Sequence, residues 1–215
     1  EIRMLAYNGS IPGPLIRAPK GAEITLKFTN NIDVPTTIHS HGVRLANEFD
    51  GVPDVTQKEI KSGESFTYKI KFPDEGVYWY HPHIREDYAQ ELGMYGNYVV
   101  MPDDPNYYSP VNRTEYLSLD DLYLENGQTP FDKDIATHAL MGRFGNVMLV
   151  NGETEYTLRV NKSDVVRFVF TNSANTRVFN VWITDAQMKL VGGDNGKYER
   201  ETFVDSVLLG PSERA

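Results

Sequence analysis

The sequence predicts an all-β protein, built as sandwich or barrel units, two of them alike. Three observations lead there. Residues 22–30 and 65–72 alternate apolar and polar side chains, the period of a half-buried strand. Turn residues break the chain at roughly every 8–12 positions, the spacing of short strands in sandwiches and barrels. And Leu26-Lys27-Phe28-Thr29-Asn30 aligns with Phe168-Val169-Phe170-Thr171-Asn172, an internal repeat.

In order, Asn8-Gly9 and Pro12-Gly13-Pro14 mark early turns. The strand at 22–30 ends at Asn30-Asn31, and a following strand carries Thr36-Thr37-Ile38-His39. Phe49-Asp50-Gly51-Val52-Pro53-Asp54 is a loop with strong turn chemistry. The strand at 65–72 turns through Pro73-Asp74-Glu75-Gly76 into Val77-Tyr78-Trp79-Tyr80. Residues 84–92 suit one short helix ending at Gly93, and 94–101 read as a closing strand. These elements place a first domain at 1–101. Residues 102–113 hold three prolines and little periodicity, and read as a linker. A second domain is expected at 114–215, with strands at 116–119, 147–150, 156–160, 165–171, 178–183 and 204–209, and a loop-like 125–146. The repeat offset sets His39 against Val181 and His41 against Ile183, so the second domain repeats the scaffold without the histidines. By the same repeat it lacks a final hairpin and is incomplete at its C-terminus.

Composition narrows the function. A net charge of −9 over 215 residues, with no basic patch, argues against nucleic-acid binding. No apolar run is long enough to span a bilayer, and the start of the chain reads as a first strand rather than a signal peptide. The chain has no cysteine, which excludes disulfides, thiol nucleophiles and thiolate–metal bonds. Six methionines are dispersed and read as core filler. Asn8, Asn112 and Asn161 each open an Asn-x-Ser/Thr sequon, a weak motif without a secretory route.

The chemistry concentrates in two stretches, Ile38-His39-Ser40-His41-Gly42 and Trp79-Tyr80-His81-Pro82-His83, which hold four of the five histidines. On a strand, His39 and His41 share one face, as do His81 and His83. Two such attachments lie about 6.6 Å apart, too far for one tight chelate. They suit imidazoles that each reach a different metal, or that meet a second strand around a cluster. Imidazole favours Cu, Zn, Fe or Ni. Four imidazoles with no thiolate argue against a closed structural zinc site. Pro82 cannot donate to a ladder, so its strand is an edge, a strand start or a bulge there. His138, away from both pairs, reads as a loop residue and not a ligand.

These stretches, with Asp50-Gly51-Val52-Pro53 between them, resemble the multicopper oxidases of the laccase type. Gly93-Met94-Tyr95-Gly96 is similar to the strand closing their first domain, Phe144-Gly145-Asn146-Val147-Met148-Leu149-Val150-Asn151-Gly152 to the lead into their second, and Gly210-Pro211-Ser212-Glu213-Arg214 to the turn before its closing strands. The resemblance covers nearly the whole chain. It implies two cupredoxin-like Greek-key β-sandwich domains, the second incomplete. Family members have three, take single electrons from a small reducing substrate at a type 1 copper, and reduce dioxygen to water at a trinuclear copper cluster between the first and last domains. By motif, His39 would bind the type 2 copper, and His41, His81 and His83 the type 3 pair. Asp50 matches a carboxylate that assists proton delivery; its other reading is a plain Asp-Gly turn.

The family's type 1 copper needs a cysteine, which this chain lacks. The resemblance therefore implies that the chain supplies half of the cluster ligands, and that a C-terminal cupredoxin domain, in the same or a second chain, supplies the rest. Alone, the chain is expected to be inactive. Family habit implies a periplasmic or extracellular location. The alternatives are a non-catalytic copper carrier or storage sandwich, and a zinc or iron protein on a similar scaffold. A two-domain nitrite-reductase-like protein fits poorly, because its type 1 site also needs cysteine. The reducing substrate stays open among phenols, aromatic amines, metal ions and bilirubin-like compounds.

Overall fold

Apolar residues at every second position of two strands, and largely buried runs carrying aromatic rings in two others, fold the first hundred residues into two sheets. In the computed structural model, which describes residues 2–194 and 196–215, the chain divides into two compact units, Met4–Asp103 and, together with the described residues before Met4, Asp104–Ala215. The first holds β1 (Ile16–Pro19), β2 (Glu23–Thr29), β3 (His39–His41), β4 (Ser65–Lys71), β5 (Gly76–His81), α1 (Glu86–Ala89) and β6 (Gly96–Met101). One sheet runs β1-β6-β5-β3; the other is β2-β4. The β2–β4 ladder is antiparallel from Glu23↔Lys71 to Thr29↔Ser65, and its burial alternates as the sequence pattern requires.

Rings join the two sheets. Tyr7 packs against Phe28 of β2 at 6.2 Å and Tyr80 of β5 at 5.2 Å. Phe72, just past β4, meets Tyr98 of β6 at 5.3 Å. Tyr68, Phe72 and Tyr98 are almost wholly buried. Filling the core with rings excludes water over a large apolar area and leaves few voids.

The second unit holds β7 (Arg113–Leu122), α2 (Ile135–Met141), β8 (Val147–Val150), β9 (Val166–Asn172), β10 (Phe179–Val181), β11 (Met188–Gly193), β12 (Gly196–Val204) and β13 (Val207–Leu209). Its sheets run β8-β7-β9, β10-β13 and β11-β12. The all-β expectation holds for both units.

Five local readings differ from the structure. The start of the chain, expected as a first strand, joins no ladder over residues 2–6, and the first strand is β1. Residues 156–160 join no ladder; the backbone there is held by the Arg113 guanidinium, which donates to the Arg159 carbonyl at 3.1 Å. Alternation marks extended chain but supplies no partner. The strand expected at 204–209 breaks at Asp205-Ser206, where β12 ends and β13 has not begun. β11 and β12 pair antiparallel over Met188–Gly193 and Gly196–Val204, where the sequence pattern predicts no strand before residue 204. Within the loop-like 125–146 lies α2, ended by Gly142 at φ +80°, so His138 is helical rather than a loop residue.

The repeat is visible in hydrogen bonds. Asn30 donates from Nδ2 to the carbonyls of Val34 and Ile60, both at 2.9 Å, and accepts the Ile32 N–H at 3.0 Å. Asn172 donates to Arg177 at 2.8 Å and Leu209 at 3.0 Å, and accepts the Ala174 N–H at 3.0 Å. Glu64 caps the N–H of Lys61 at 2.9 Å as Glu213 caps that of Gly210 at 2.6 Å. The loop after Asn172 is one residue longer than the loop after Asn30. The bridge Thr36↔Ile60 then corresponds to Phe179↔Leu209. His39 therefore matches Trp182, not Val181, and His41 matches Thr184, not Ile183.

Candidate metal centre

A three-residue strand places the first two histidines. Ser40, 1 % exposed, points into the core from the middle of β3, where its Oγ lies 3.2 Å from the Tyr98 hydroxyl. One residue earlier, the Ile38 N–H donates to the Tyr68 hydroxyl at 2.9 Å. With Ser40 inward, alternation turns His39 and His41 to the opposite face. The β3–β5 register sets His39 against His81 and His41 against Trp79. A second strand thus brings in the third ring, and the donor nitrogens of His39, His41 and His81 lie within 4.8 Å of one another.

His83 arrives differently from the expectation. β5 ends at His81, so Pro82 lies beyond the ladder and His83 sits in the bend that follows. The bend does what strand alternation was expected to do. The His83 ring lies 5.3 Å from His39 and 6.3 Å from His81.

The second ring nitrogens fix which atom is available to a metal. His39 Nδ1 lies 2.7 Å from the Asp50 backbone oxygen and 3.3 Å from the Asp50 carboxylate. His81 Nδ1 lies 2.7 Å from the Pro82 carbonyl. A carbonyl accepts, so in both rings Nδ1 carries the proton and Nε2 the lone pair. His41 is the exception, with Nδ1 turned toward His81 Nε2 at 3.4 Å. His83 Nδ1 lies 3.4 Å from Glu86 Oε1.

Burial pushes the His81 imidazolium down to about 3, against the opposing pull of the Pro82 carbonyl and with help from the neighbouring rings of His39, His41 and His83. His81 is therefore neutral, the form that coordinates a metal. It stacks on Trp79 at 4.2 Å, and Trp79 is 1 % exposed. Three imidazole nitrogens at this spacing, with no thiolate, fit copper, and by donor type alone also zinc, iron or nickel.

The structure brings together His39, His41 and His81, with His83 and Asp50 at their edge. His138 lies in the other unit, on α2, its ring 6.1 Å from that of Tyr123. A cleft of about 550 Å³ between the Phe49 loop and the start of β4 contains none of the four histidines. Sequence reasoning does not single out Glu86; its only signal is the three-residue spacing from His83 across a turn. No helix among the described residues is long and apolar enough to cross a membrane.

Comparison with known proteins gives a consistent result. Residues 1–105 and residues 113–215 each match a family described as multicopper oxidase. The chain is 31 % identical to the multicopper oxidase MmcO of Mycobacterium tuberculosis, over 99 % of this chain and 47 % of that protein. It superposes on the crystal structure of a multi-copper oxidase from Pseudomonas parafulva with a TM-score of 0.88 and 31 % identity, covering 98 % of this chain and 52 % of that one. The corresponding protein of Pseudomonas thermotolerans gives 0.84 and 33 %, over 96 % and 50 %. The chain spans about half the length of the curated relatives it matches.

Proposed function

The chain belongs to the multicopper oxidase family, and from that premise we propose that it supplies half of the ligands of a trinuclear copper centre in a laccase-like oxidase. In this reading His39 holds the type 2 copper, and His41, His81 and His83 hold the type 3 pair. Bound copper supplies the one-electron redox chemistry that couples oxidation of a small reducing substrate to reduction of dioxygen to water. The observation that carries the reading is the meeting of His39, His41 and His81 from two strands, donor nitrogens within 4.8 Å.

The residues of this chain bind, orient and move protons. The carbonyls of Asp50 and Pro82 hold the Nδ1 protons of His39 and His81 and leave each Nε2 as a donor. Trp79 excludes water from one face of His81. The Asp50 carboxylate, one-third exposed and 3.3 Å from His39 Nδ1, would carry protons between solvent and the site. The remaining histidines, and the cysteine of a type 1 site, come from a C-terminal cupredoxin domain in the same or a second chain. The 215 residues alone are inactive, and the assembled oxidase works in the periplasm or outside the cell.

Two measurements test this. The chain alone is expected to show no oxygen uptake with phenolic or metal-ion reductants, and the assembled oxidase to show it. In the assembled oxidase, Asp50→Asn keeps the backbone carbonyl and hence full copper content, while oxygen uptake falls on the order of 10-fold or more. Undiminished uptake in Asp50→Asn sinks the proton role. A single tightly held copper, with no oxidase gained on adding the C-terminal domain, sinks the oxidase in favour of a carrier.

A further inference from the structure

Each histidine of the centre has a second ring nitrogen to satisfy, and His83 differs from the others in how it does so. Backbone carbonyls serve His39 and His81, at 2.7 Å each, with the Asp50 carboxylate farther from His39 at 3.3 Å. His41 turns its Nδ1 toward His81. For His83 the partner is a side chain, the carboxylate of Glu86, 3.4 Å from Nδ1.

The backbone presents that carboxylate on purpose-built geometry. Arg85 adopts a left-handed conformation at φ 50°, which reverses the chain just after the bend that holds His83. Its carbonyl then accepts the N–H groups of Tyr88 at 2.9 Å and Ala89 at 2.7 Å. Ala89 is fully buried, and the Leu92 carbonyl accepts the Leu5 N–H at 2.9 Å. Glu86 opens this anchored turn, one turn away from His83 in sequence and beside it in space.

We propose that Glu86 is a positioning residue for His83: its carboxylate accepts the Nδ1–H and holds the ring in the tautomer whose Nε2 is free to donate. This rests on the reading of His83 as a copper ligand and deepens it. The need is physical. Free neutral imidazole prefers the proton on Nε2, the wrong tautomer for coordination through that atom. His81 is held by burial and a carbonyl together. The His83 side chain is 37 % exposed, so water competes for its Nδ1–H. An anionic acceptor competes with water better than a neutral carbonyl does, and it raises the basicity of the coordinating nitrogen.

The test is ¹⁵N NMR of the metal-free full chain with labelled histidine, paired with copper binding isotherms. In the wild-type chain His83 is expected to carry its proton on Nδ1. In Glu86→Ala and Glu86→Lys, which lack an acceptor there, the proton moves to Nε2, while His39 and His81 keep theirs and so report an intact fold. Glu86→Gln, whose neutral amide oxygen accepts the same N–H more weakly, restores only part of the original tautomer. Copper affinity falls about 10–100-fold in the Ala and Lys variants. A wild-type His83 protonated on Nε2 overturns the proposal without any variant, as does an unchanged tautomer in Glu86→Ala. A shifted tautomer with unchanged copper affinity overturns the positioning role. The ligand reading fails separately: it falls if His83→Ala binds copper as tightly as wild type, whatever the tautomer of His83.

Discussion

Gly51 stands against the carbonyl of Ile38 so closely that a methyl group on its α-carbon would fall 2.1 Å from the oxygen. The contact presses the Asp50 loop onto the start of β3, one residue before His39. It is the reason the Asp50 carbonyl can reach the His39 ring at 2.7 Å. Gly51 also holds φ +79°, a conformation that L side chains adopt at a cost.

Gly51→Ala must therefore move the loop. Gly21 is a natural comparator, with φ +77° and open space where a Cβ would sit. Gly21→Ala is expected to cost about 1 kcal/mol from the backbone alone. Gly51→Ala is expected to cost on the order of 3 kcal/mol by urea denaturation, and to lower the copper content of the chain as well. Equal losses in the two variants would mean that the close approach to Ile38 relaxes freely.

The histidine pairs were legible because their pattern is local: two copies of His-x-His name a metal site before any fold is known. The sheets around them were legible from the alternation in β2 and β4. What stayed hidden depends on partners distant in sequence. At Pro82 the sequence predicts an edge, a strand start or a bulge, whereas the strand ends at His81 and a bend carries His83 to the cluster. Asp50 was read for its carboxylate, yet its backbone oxygen is the nearer partner of His39. In the second unit, residues 156–160 alternate like a strand without a neighbouring strand to pair with. The repeat was found through Thr-Asn, and only hydrogen bonds show the single extra residue that shifts Trp182 and Thr184 into register with His39 and His41.

That repeat makes a paired expectation. Asn30 and Asn172 are both buried, and each satisfies two carbonyls and one N–H. Replacing either by Ala leaves those three backbone groups to find water in a dry interior. Each substitution is expected to cost about 2–4 kcal/mol, and each in its own unit. Hydrogen exchange resolves the two: Asn30→Ala should release amides of β2 and β4, Asn172→Ala those of β9 and β13. A change confined to surface amides in either variant would show that the bonds are not limiting.

Acid should weaken the metal-free first unit through His81. Burial holds its pKa at about 3 in the fold against an ordinary 6.5. Between those values the unfolded chain takes up a proton that the folded chain refuses. Stability from this group is complete above about pH 6.5 and is lost as pH falls toward 3, with a slope of up to about 1.4 kcal/mol per pH unit. Carboxylates elsewhere add their own acid dependence, so the comparison that isolates His81 is wild type against His81→Gln. The variant is expected to lose less stability between pH 6.5 and 4 in urea titrations without metal. Parallel curves would place the acid sensitivity elsewhere.

In the second unit, a buried carboxylate organises the segment that precedes β8. Asp121 is 2 % exposed and accepts from Arg177 Nε at 2.6 Å and from the Gly145 N–H at 2.5 Å. Arg177 in turn donates to the Gly145 carbonyl at 2.7 Å and lies 5.4 Å over the Phe144 ring. The guanidinium thus ties β7 to the Phe144-Gly145 turn by charge, hydrogen bonds and ring contact together. Removing it alone, as in Arg177→Met, strands a buried carboxylate and is expected to cost about 3–5 kcal/mol. Removing both charges, as in Asp121→Leu with Arg177→Met, is expected to recover a large part of that loss, because the penalty of the single variant is mostly the unpaired carboxylate. Hydrogen exchange at β7 and β8 amides reads both effects. A double variant as unstable as Arg177→Met would instead assign the loss to the turn geometry that Arg177 holds through Gly145.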